Sequence, residues 1–403
     1  MDENEIGRRI REVRSWRGMA LRTAADLAGF SYGYLAQIER GEKPVNSRNV
    51  LEAIAFALRV DPSQLTGQPW APVDTKGKAA LATVADVETA LEVYERGHDP
   101  GVELRPWPEL ASDIAQLMDL THVHADYAAQ GALVPRLLAE LHAAYVRLPE
   151  RRADVLLALI HCYSSACWTT KRLGGRGLPT IAARLAQECA EELGLPAWIG
   201  YATWLRGDAT GQLSRDMQYR RCVSMADQLS GALDDADVAQ AYGMLQLSAA
   251  LAAAARADRD TAELHLTEAA GIAARLEAEV GSFAHLWFGR TNVGIWRVGL
   301  ATEFGDGPKV AEIARDVHPE LIPSPSRQAE FWADLGRAMF QDAKSRDQGL
   351  TALLRAEELA PQRIRNDVFV REAVSDQLRR ARRESGGREL RGLAYRMGVA
   401  PNG

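Results

Sequence analysis

Phe30-Ser31-Tyr32-Gly33-Tyr34-Leu35-Ala36-Gln37-Ile38-Glu39-Arg40-Gly41 is the stretch on which the reading of this chain turns. At helical period it has two faces. Phe30, Leu35 and Ile38 fall on an apolar side. Tyr32, Gly33, Ala36, Gln37 and Arg40 fall on the other. Ser31 is placed to cap the helix start by accepting a backbone N–H, and Gly41 to close its end in a left-handed conformation. A shorter helix, Arg22 to Ala28, precedes it, with Gly29 at the bend. Helix, tight glycine turn and capped helix make a helix-turn-helix pattern, whose second helix enters the DNA major groove.

Working outward, residues 6–66 resemble the Cro/C1-type (XRE) helix-turn-helix family, and the run Leu35 to Glu42 is similar to its recognition-helix ending. The resemblance implies base reading at Tyr32 and Gly33. It also implies a buried ion pair between Arg14 and Glu39 that ties the first helix to the recognition helix. Three positions depart from the family pattern: Gly33 has no side chain to read with, Leu21 stands where a phosphate-binding Gln is common, and Ala20 replaces a polar cap. Chemistry adds Gln37, whose amide can bond bidentately to adenine N6 and N7. Ala36 lies beside it on the same face. Arg22, Lys43, Asn46 and Arg48 are the phosphate candidates.

The domain is completed by a helix from Glu3 to Arg17, with Ile6, Ile10 and Val13 facing inward. A fourth helix, capped by Asn46 or Ser47, carries Val50, Leu51, Ile54, Ala55 and Leu58. A last turn opens at Asp61-Pro62 and is closed by Leu65. That gives five helices over residues 1–66. Within these residues lie ten Lys/Arg and nine Asp/Glu, a charge of +1, so the remainder carries −7 of the total −6. A near-neutral reader binds DNA only through well-placed cations, with a strong salt dependence.

Of the 403 residues, 47% are hydrophobic and 25% charged, a composition suited to packed globular domains. Four cysteines in a chain this long are no disulfide framework and are expected as buried thiols. The start Met1-Asp2-Glu3-Asn4-Glu5 is acidic and no uncharged apolar run approaches about 18 residues, so a cytoplasmic protein without a membrane segment is expected. His122 and His124, two apart on a helix, point to different sides and make no metal pair. Leu173-Gly174-Gly175-Arg176-Gly177 lacks the strand and the Lys-Ser/Thr of a phosphate loop. No nucleophile, base and orienter come together. No metal, no cofactor and no enzymatic activity are expected.

Residues 67–108 read as a linker, rich in Pro and Gly to Lys78, followed by a connecting or dimer helix from Ala79 to Arg96. From 109 to 403 no strand pattern appears. Alanine recurs at four-residue steps (Ala182, Ala186, Ala190; Ala352, Ala356, Ala360). Similar helical segments surround Ala186, Ala226, Ala269, Ala314 and Ala356, at intervals of 40, 43, 45 and 42 residues. Helix pairs at such a period form an α-solenoid, with small residues where helices pack closely. This segment resembles the tetratricopeptide-like (TPR-like) domains found behind XRE modules in actinobacterial regulators. The fold class is therefore all-α: a five-helix reader followed by a solenoid of TPR-like helix pairs. The Arg-rich segment with Arg379, Arg380, Arg382 and Arg383, interleaved with Asp376 and Glu384, reads as a solvated helix face.

The first helix of each pair is expected to line an open concave groove. Those stretches hold Tyr163 and Trp168, Trp198 and Trp204, Tyr242 and Gln246, Asn292 and Trp296, Trp332 and Arg337. Trp198, Tyr242 and Trp296 would offer aromatic surface, and Gln246 and Asn292 amide hydrogen bonds, to a peptide, protein or small-molecule effector. The layout resembles peptide-responsive regulators of Gram-positive bacteria (the RRNPP group). That implies a homodimeric regulator bound to a double-stranded DNA operator. The rival expectation is an interaction scaffold whose DNA module is secondary or degenerate.

Overall fold

The computed structural model describes residues 5–209, 215–381 and 387–399. Residues 3 and 4 of the expected first helix, and Arg382, Arg383 and Glu384, lie outside them. The N-terminal domain is built from α1 (Glu5–Trp16), α2 (Leu21–Ala28), α3 (Tyr32–Glu39), α4 (Arg48–Ala57) and α5 (Pro62–Thr66). Its local signals act as read. Ser31 accepts from the Tyr34 N–H at 3.2 Å, and Ser47 accepts from Val50 at 3.4 Å. Asp61 caps α5 with Pro62 in its first turn. Gly29, at φ 74°, makes the turn between α2 and α3 in a conformation only glycine adopts without strain. Ile6, Ile10, Leu35, Ile38, Leu51 and Ile54 close the small core. That core also takes in Phe369, from the other end of the chain.

Next come α6 (Thr75–Ala82) and α7 (Val84–Val93). The single helix expected over 79–96 is broken at Thr83 and begins earlier, because Asp74 caps α6 by accepting from Gly77 at 2.6 Å. Neither helix is a free connector. Val87, Ala90 and Leu91 enter the main core, and a Cβ at Gly131 would run into the Thr83 hydroxyl, so this junction lies directly on the helix that carries Gly131.

The rest is helical, apart from one isolated bridge between Val280 and Gly289 among the described residues. After α8 (Trp107–Asp119) the chain runs through α9 (Tyr127–Arg147), α10 (Arg152–Arg172), α11 (Leu178–Leu193), α12 (Pro196–Ala209), α13 (Arg215–Leu229), α14 (Ala236–Ala254) and α15 (Arg259–Arg275). It continues through α16 (Arg290–Glu303), α17 (Val310–Ala314), α18 (Pro325–Met339), α19 (Arg346–Leu359), α20 (Pro361–Arg365), α21 (Val368–Ala381) and α22 (Arg388–Arg396). Pairs α10/α11, α14/α15 and α18/α19 are tight helical hairpins. The five alanines that set the repeat, Ala186, Ala226, Ala269, Ala314 and Ala356, sit one each on α11, α13, α15, α17 and α19, and all are buried. A methyl there lets each second helix approach its partner closely. The four cysteines are buried inside these helices.

The array does not stay open. Ser324, at the start of α18, donates to the His122 carbonyl at 2.5 Å, and Gln362 on α20 accepts from the Tyr127 N–H at 2.9 Å. Arg172 at the end of α10 reaches Glu330 and Asp367 at 3.6 and 3.5 Å. The C-terminal helices thus meet the first repeat helices, and the inner surface becomes the wall of a cavity instead of an open groove. No helix among the described residues is long and apolar enough to cross a membrane.

Candidate functional site

The recognition helix α3 presents a narrow face. Tyr32 is exposed and its ring lies 5.8 Å beneath the Arg22 guanidinium. Gly33 is exposed, and a Cβ there would meet nothing within 4 Å. Gln37 is half-buried, and its carbonyl closes the helix end by accepting from Glu42 and Lys43 at 2.8 and 3.2 Å. Lys43 is exposed with its ammonium 5.0 Å from the Tyr34 ring. Ala36 differs from the expectation: only 5% of it is exposed. Helix α3 lies against both α1 and α2 and buries Leu35, Ala36, Ile38 and Glu39, a wider face than Leu35 and Ile38 alone mark out. Ala36 therefore packs and does not read bases.

Behind α3, Arg14 forks onto Glu39 with bonds of 2.6 and 2.8 Å and donates a third bond to the Met19 carbonyl at 2.8 Å. Hydrogen bonding to Glu39, against the opposing effect of burial, raises the Arg14 pKa. The pair fastens α1 to α3.

Asn46 and Arg48 also differ from the expectation of phosphate contacts. The repeat helices hold them. Glu303, at the end of α16, accepts from the Arg48 backbone N–H at 2.8 Å and from its guanidinium at 2.6 Å. Arg337 on α18 donates to the Asn46 carbonyl at 2.8 Å and to Glu303 at 3.2 Å. Glu372 on α21 accepts from the Val45 N–H at 3.1 Å. Further along α4, Glu52 pairs with Arg215 at 2.9 Å and Asn49 donates to the Ala255 carbonyl at 3.1 Å. Phe369 lies between two cations, 5.4 Å from Arg48 and 4.9 Å from Arg337. A carboxylate at the start of α4 suits the positive end of the helix dipole, the place a nucleic-acid phosphate would also favour. Burial alone would raise the Glu303 pKa, but Arg48 and Arg337 outweigh it and hold it below the ordinary glutamate value.

The same residues form one wall of the central cavity, about 570 Å³ in volume. The first helices of the pairs line it: Trp168 and Arg172 on α10, Trp204 on α12, Met244 on α14, Asn292 and Trp296 on α16, Arg327, Glu330 and Arg337 on α18. Arg48, Pro62 and Thr66 of the N-terminal domain line it as well. Of the effector candidates, Asn292 and Trp296 are at the cavity. Trp198, Tyr242 and Gln246 are turned to neighbouring helices. Trp198 packs edge-on to Tyr201 and Phe283, Tyr242 donates to Glu268 at 3.0 Å, and Gln246 bonds His265 at 2.6 Å. Asn292 does not offer its amide to a peptide backbone as expected. It donates to the Leu286 carbonyl and accepts from Arg327 Nε, both at 2.9 Å.

The cavity's polar centre was not singled out in the sequence. Arg172, Arg327 and Arg363 converge on Glu330. Burial, only partly opposed by Asp334, pushes the Arg327 pKa down to about 10; burial and then Arg172 push Arg363 down to about 9. The other wall is aromatic. His122 stacks on His285 at 4.4 Å and meets Trp168 edge-on at 5.4 Å. Burial, then the neighbouring His285 and His161, hold His122 well below the ordinary imidazole value, and burial lowers His285 as well, so both rings are uncharged at neutral pH. Ala284, His285 and Trp287 all have φ between 47° and 55°, strained for residues with side chains. The Arg327–Glu330 spacing on one helix and the basic run 361–365 were the available signals. What they lacked was any sign that segments so distant in sequence meet.

Residues 5–66 match the family model of a helix-turn-helix domain. No curated protein matches the chain. Among solved structures, it is similar to the crystal structure of Bacillus thuringiensis PlcR in complex with the peptide PapR7 and DNA. That likeness has 13% identity over 67% of this chain and 94% of that one, with a TM-score of 0.22. It is also similar to the apo form of the competence regulator ComR from Streptococcus vestibularis, at 12% identity over 88% of this chain and 98% of that one, TM-score 0.22. A third is ComR from Streptococcus suis, at 11% identity over 94% and 96%, TM-score 0.20. At these TM-scores none of the three bears on what this chain binds.

Proposed function

We propose that this chain is a DNA-binding transcription regulator of the XRE type. Its TPR-like helical domain takes an effector in the central cavity and sets the position of the reader. The carrying observation is the recognition helix: capped by Ser31, fixed from behind by Arg14–Glu39, with Tyr32, Gly33 and Gln37 on the face away from the core. Arg22 and Lys43 are exposed at its flanks for phosphates. One small reader covers too little DNA for useful specificity, so the active form is a cytoplasmic homodimer on two half-sites about one helical turn apart. Coupling between effector and operator must be reciprocal, each changing the other's affinity by the same factor. Selection of bound sites from a random duplex pool tests this reading. A recovered two-fold motif, lost on Gln37→Ala at one base pair per half-site, supports it; no enrichment above a mixed-sequence control removes it.

The scaffold reading has one specific observation in its favour. Arg48, Asn46 and the start of α4 are engaged by the repeat helices instead of facing outward. If the pool selection fails while a partner protein binds the repeat helices with measurable affinity, the scaffold reading takes its place.

A further inference from the structure

We infer that the central cavity binds a small organic anion with a flat apolar body, its charged oxygens accepting hydrogen bonds from Arg327 and Trp296. The inference rests on the effector reading of the cavity and adds the class of ligand.

Three polar nitrogens of the wall are buried without a hydrogen-bond partner among the described residues: Arg327 Nη2, Trp296 Nε1 and His285 Nδ1. A buried donor without an acceptor is costly, and more so when it is charged. Two of the three are donors in every state, and they are neighbours, with the Arg327 guanidinium 5.3 Å from the Trp296 ring centre. Arg327 is also aimed. Asn292 holds its Nε at 2.9 Å and is itself held by the Leu286 carbonyl.

Charge points the same way. Three guanidinium groups, Arg172, Arg327 and Arg363, share two carboxylates, Glu330 and Asp367. The neighbouring cations are matched: Lys171 by Asp208 at 2.8 Å, and Arg337 and Arg48 by Glu303 and Asp334. One positive charge is thus left over among partly buried groups, where an uncompensated charge is costly. A single monoanion cancels it.

The remaining wall suits a flat apolar group, since Trp168, Trp204 and the neutral His122–His285 stack face the same space. The strained segment 284–287 places His285 and Trp287 there. The volume, about 570 Å³, is that of a small-molecule pocket, roughly 300–1,000 Å³. The Ser324–His122 and Gln362–Tyr127 contacts close the array across the line an extended polypeptide would follow.

The test uses the full chain and two fluorescent probes with the same rings, 8-anilinonaphthalene-1-sulfonate and uncharged N-phenyl-1-naphthylamine. Titration should show one sulfonate probe bound per chain, roughly tenfold tighter than the neutral probe. It should be displaced by 2-naphthoate and not by 2-naphthol. Arg327→Gln should weaken the sulfonate probe about tenfold and leave the neutral probe unchanged. Glu330→Gln, which removes the internal competitor, should strengthen the sulfonate probe. Opposite signs separate a site effect from misfolding, which would raise or lower both probes together. Equal affinity of the two probes for the wild type, or no change on Arg327→Gln, overturns the anion site. A gel shift on the selected operator, run on the same samples, separates the two readings: operator binding without anion selectivity removes only the ligand class. Anion selectivity without operator binding upholds the site and removes the regulator.

Discussion

Removing the Arg14 guanidinium leaves the Glu39 carboxylate, 5% exposed at its side chain, without its bidentate partner. Arg14→Ala should therefore destabilise the N-terminal domain by about 3–5 kcal/mol, seen as a lower melting temperature. An unchanged melt with weaker DNA binding would instead make Arg14 a phosphate ligand. Gly33 gives the converse case. Nothing within 4 Å meets an added Cβ, and the helix gains from a better former, so Gly33→Ala should raise stability by up to about 1 kcal/mol. If operator binding falls at the same time, the DNA backbone approaches α3 at this residue. Gln37→Ala should lose about 1–3 kcal/mol of discrimination at one base pair while leaving the melt unchanged. The Arg14–Glu39 pair and the helix caps were legible in the sequence because caps, ion pairs and glycine turns act over a few residues or a known motif. Ala36 was not: its methyl is buried through the wedging of α3 between α1 and α2, which helical period alone does not report.

Helix α4 belongs to two units at once. Its apolar stripe Val50, Leu51, Ile54 and Ala55 builds the reader, while its first residue Arg48 is seated on Glu303 and the loop before it on Glu372 and Arg337. Glu303→Gln should loosen this seat. If DNA phosphates use the same N–H groups at Val45 and Arg48, operator affinity should rise several-fold in a gel shift; a fall would show that the seated arrangement is the one that binds DNA. The seat should also depend on pH with a defined sign. Glu303 is held below its ordinary value of 4.5 by Arg48 and Arg337. Its contribution is complete above that value and is lost as pH falls through the lowered one. Protease nicking of the linker 67–73 should thus be flat from pH 6 to 8 and rise only under acid conditions. The repeat alanines on α11, α13, α15, α17 and α19 were legible as a period. The Arg48–Glu303 pair was not, because its partners are 255 residues apart and each looks like an ordinary surface charge.

At the scale of the whole molecule, the chain closes on itself. Its C-terminal helices meet the segment before α9, α9 and α10 through Ser324, Gln362 and Arg172, and they complete the core of the N-terminal domain through Phe369. The all-α repeat architecture was readable from period and composition; the closure was not, since stacking pairs predict an open groove, and only long-range contacts turn it into a cavity. Phe369→Ala should cost about 3–5 kcal/mol. The loss should register in hydrogen exchange of α4 and not only of α21, because the ring sits between Arg48 and Arg337. Phe369 has a further consequence during synthesis. The reader leaves the ribosome early, yet the ring that fills its core is made about 300 residues afterwards, on the order of 15–60 s at about 5–20 residues per second. Until then the nascent reader has a gap where that ring belongs. A chain cut short by a premature stop or a protease lacks that ring for good, so the packing of the N-terminal domain depends on whether the rest of the protein has been made.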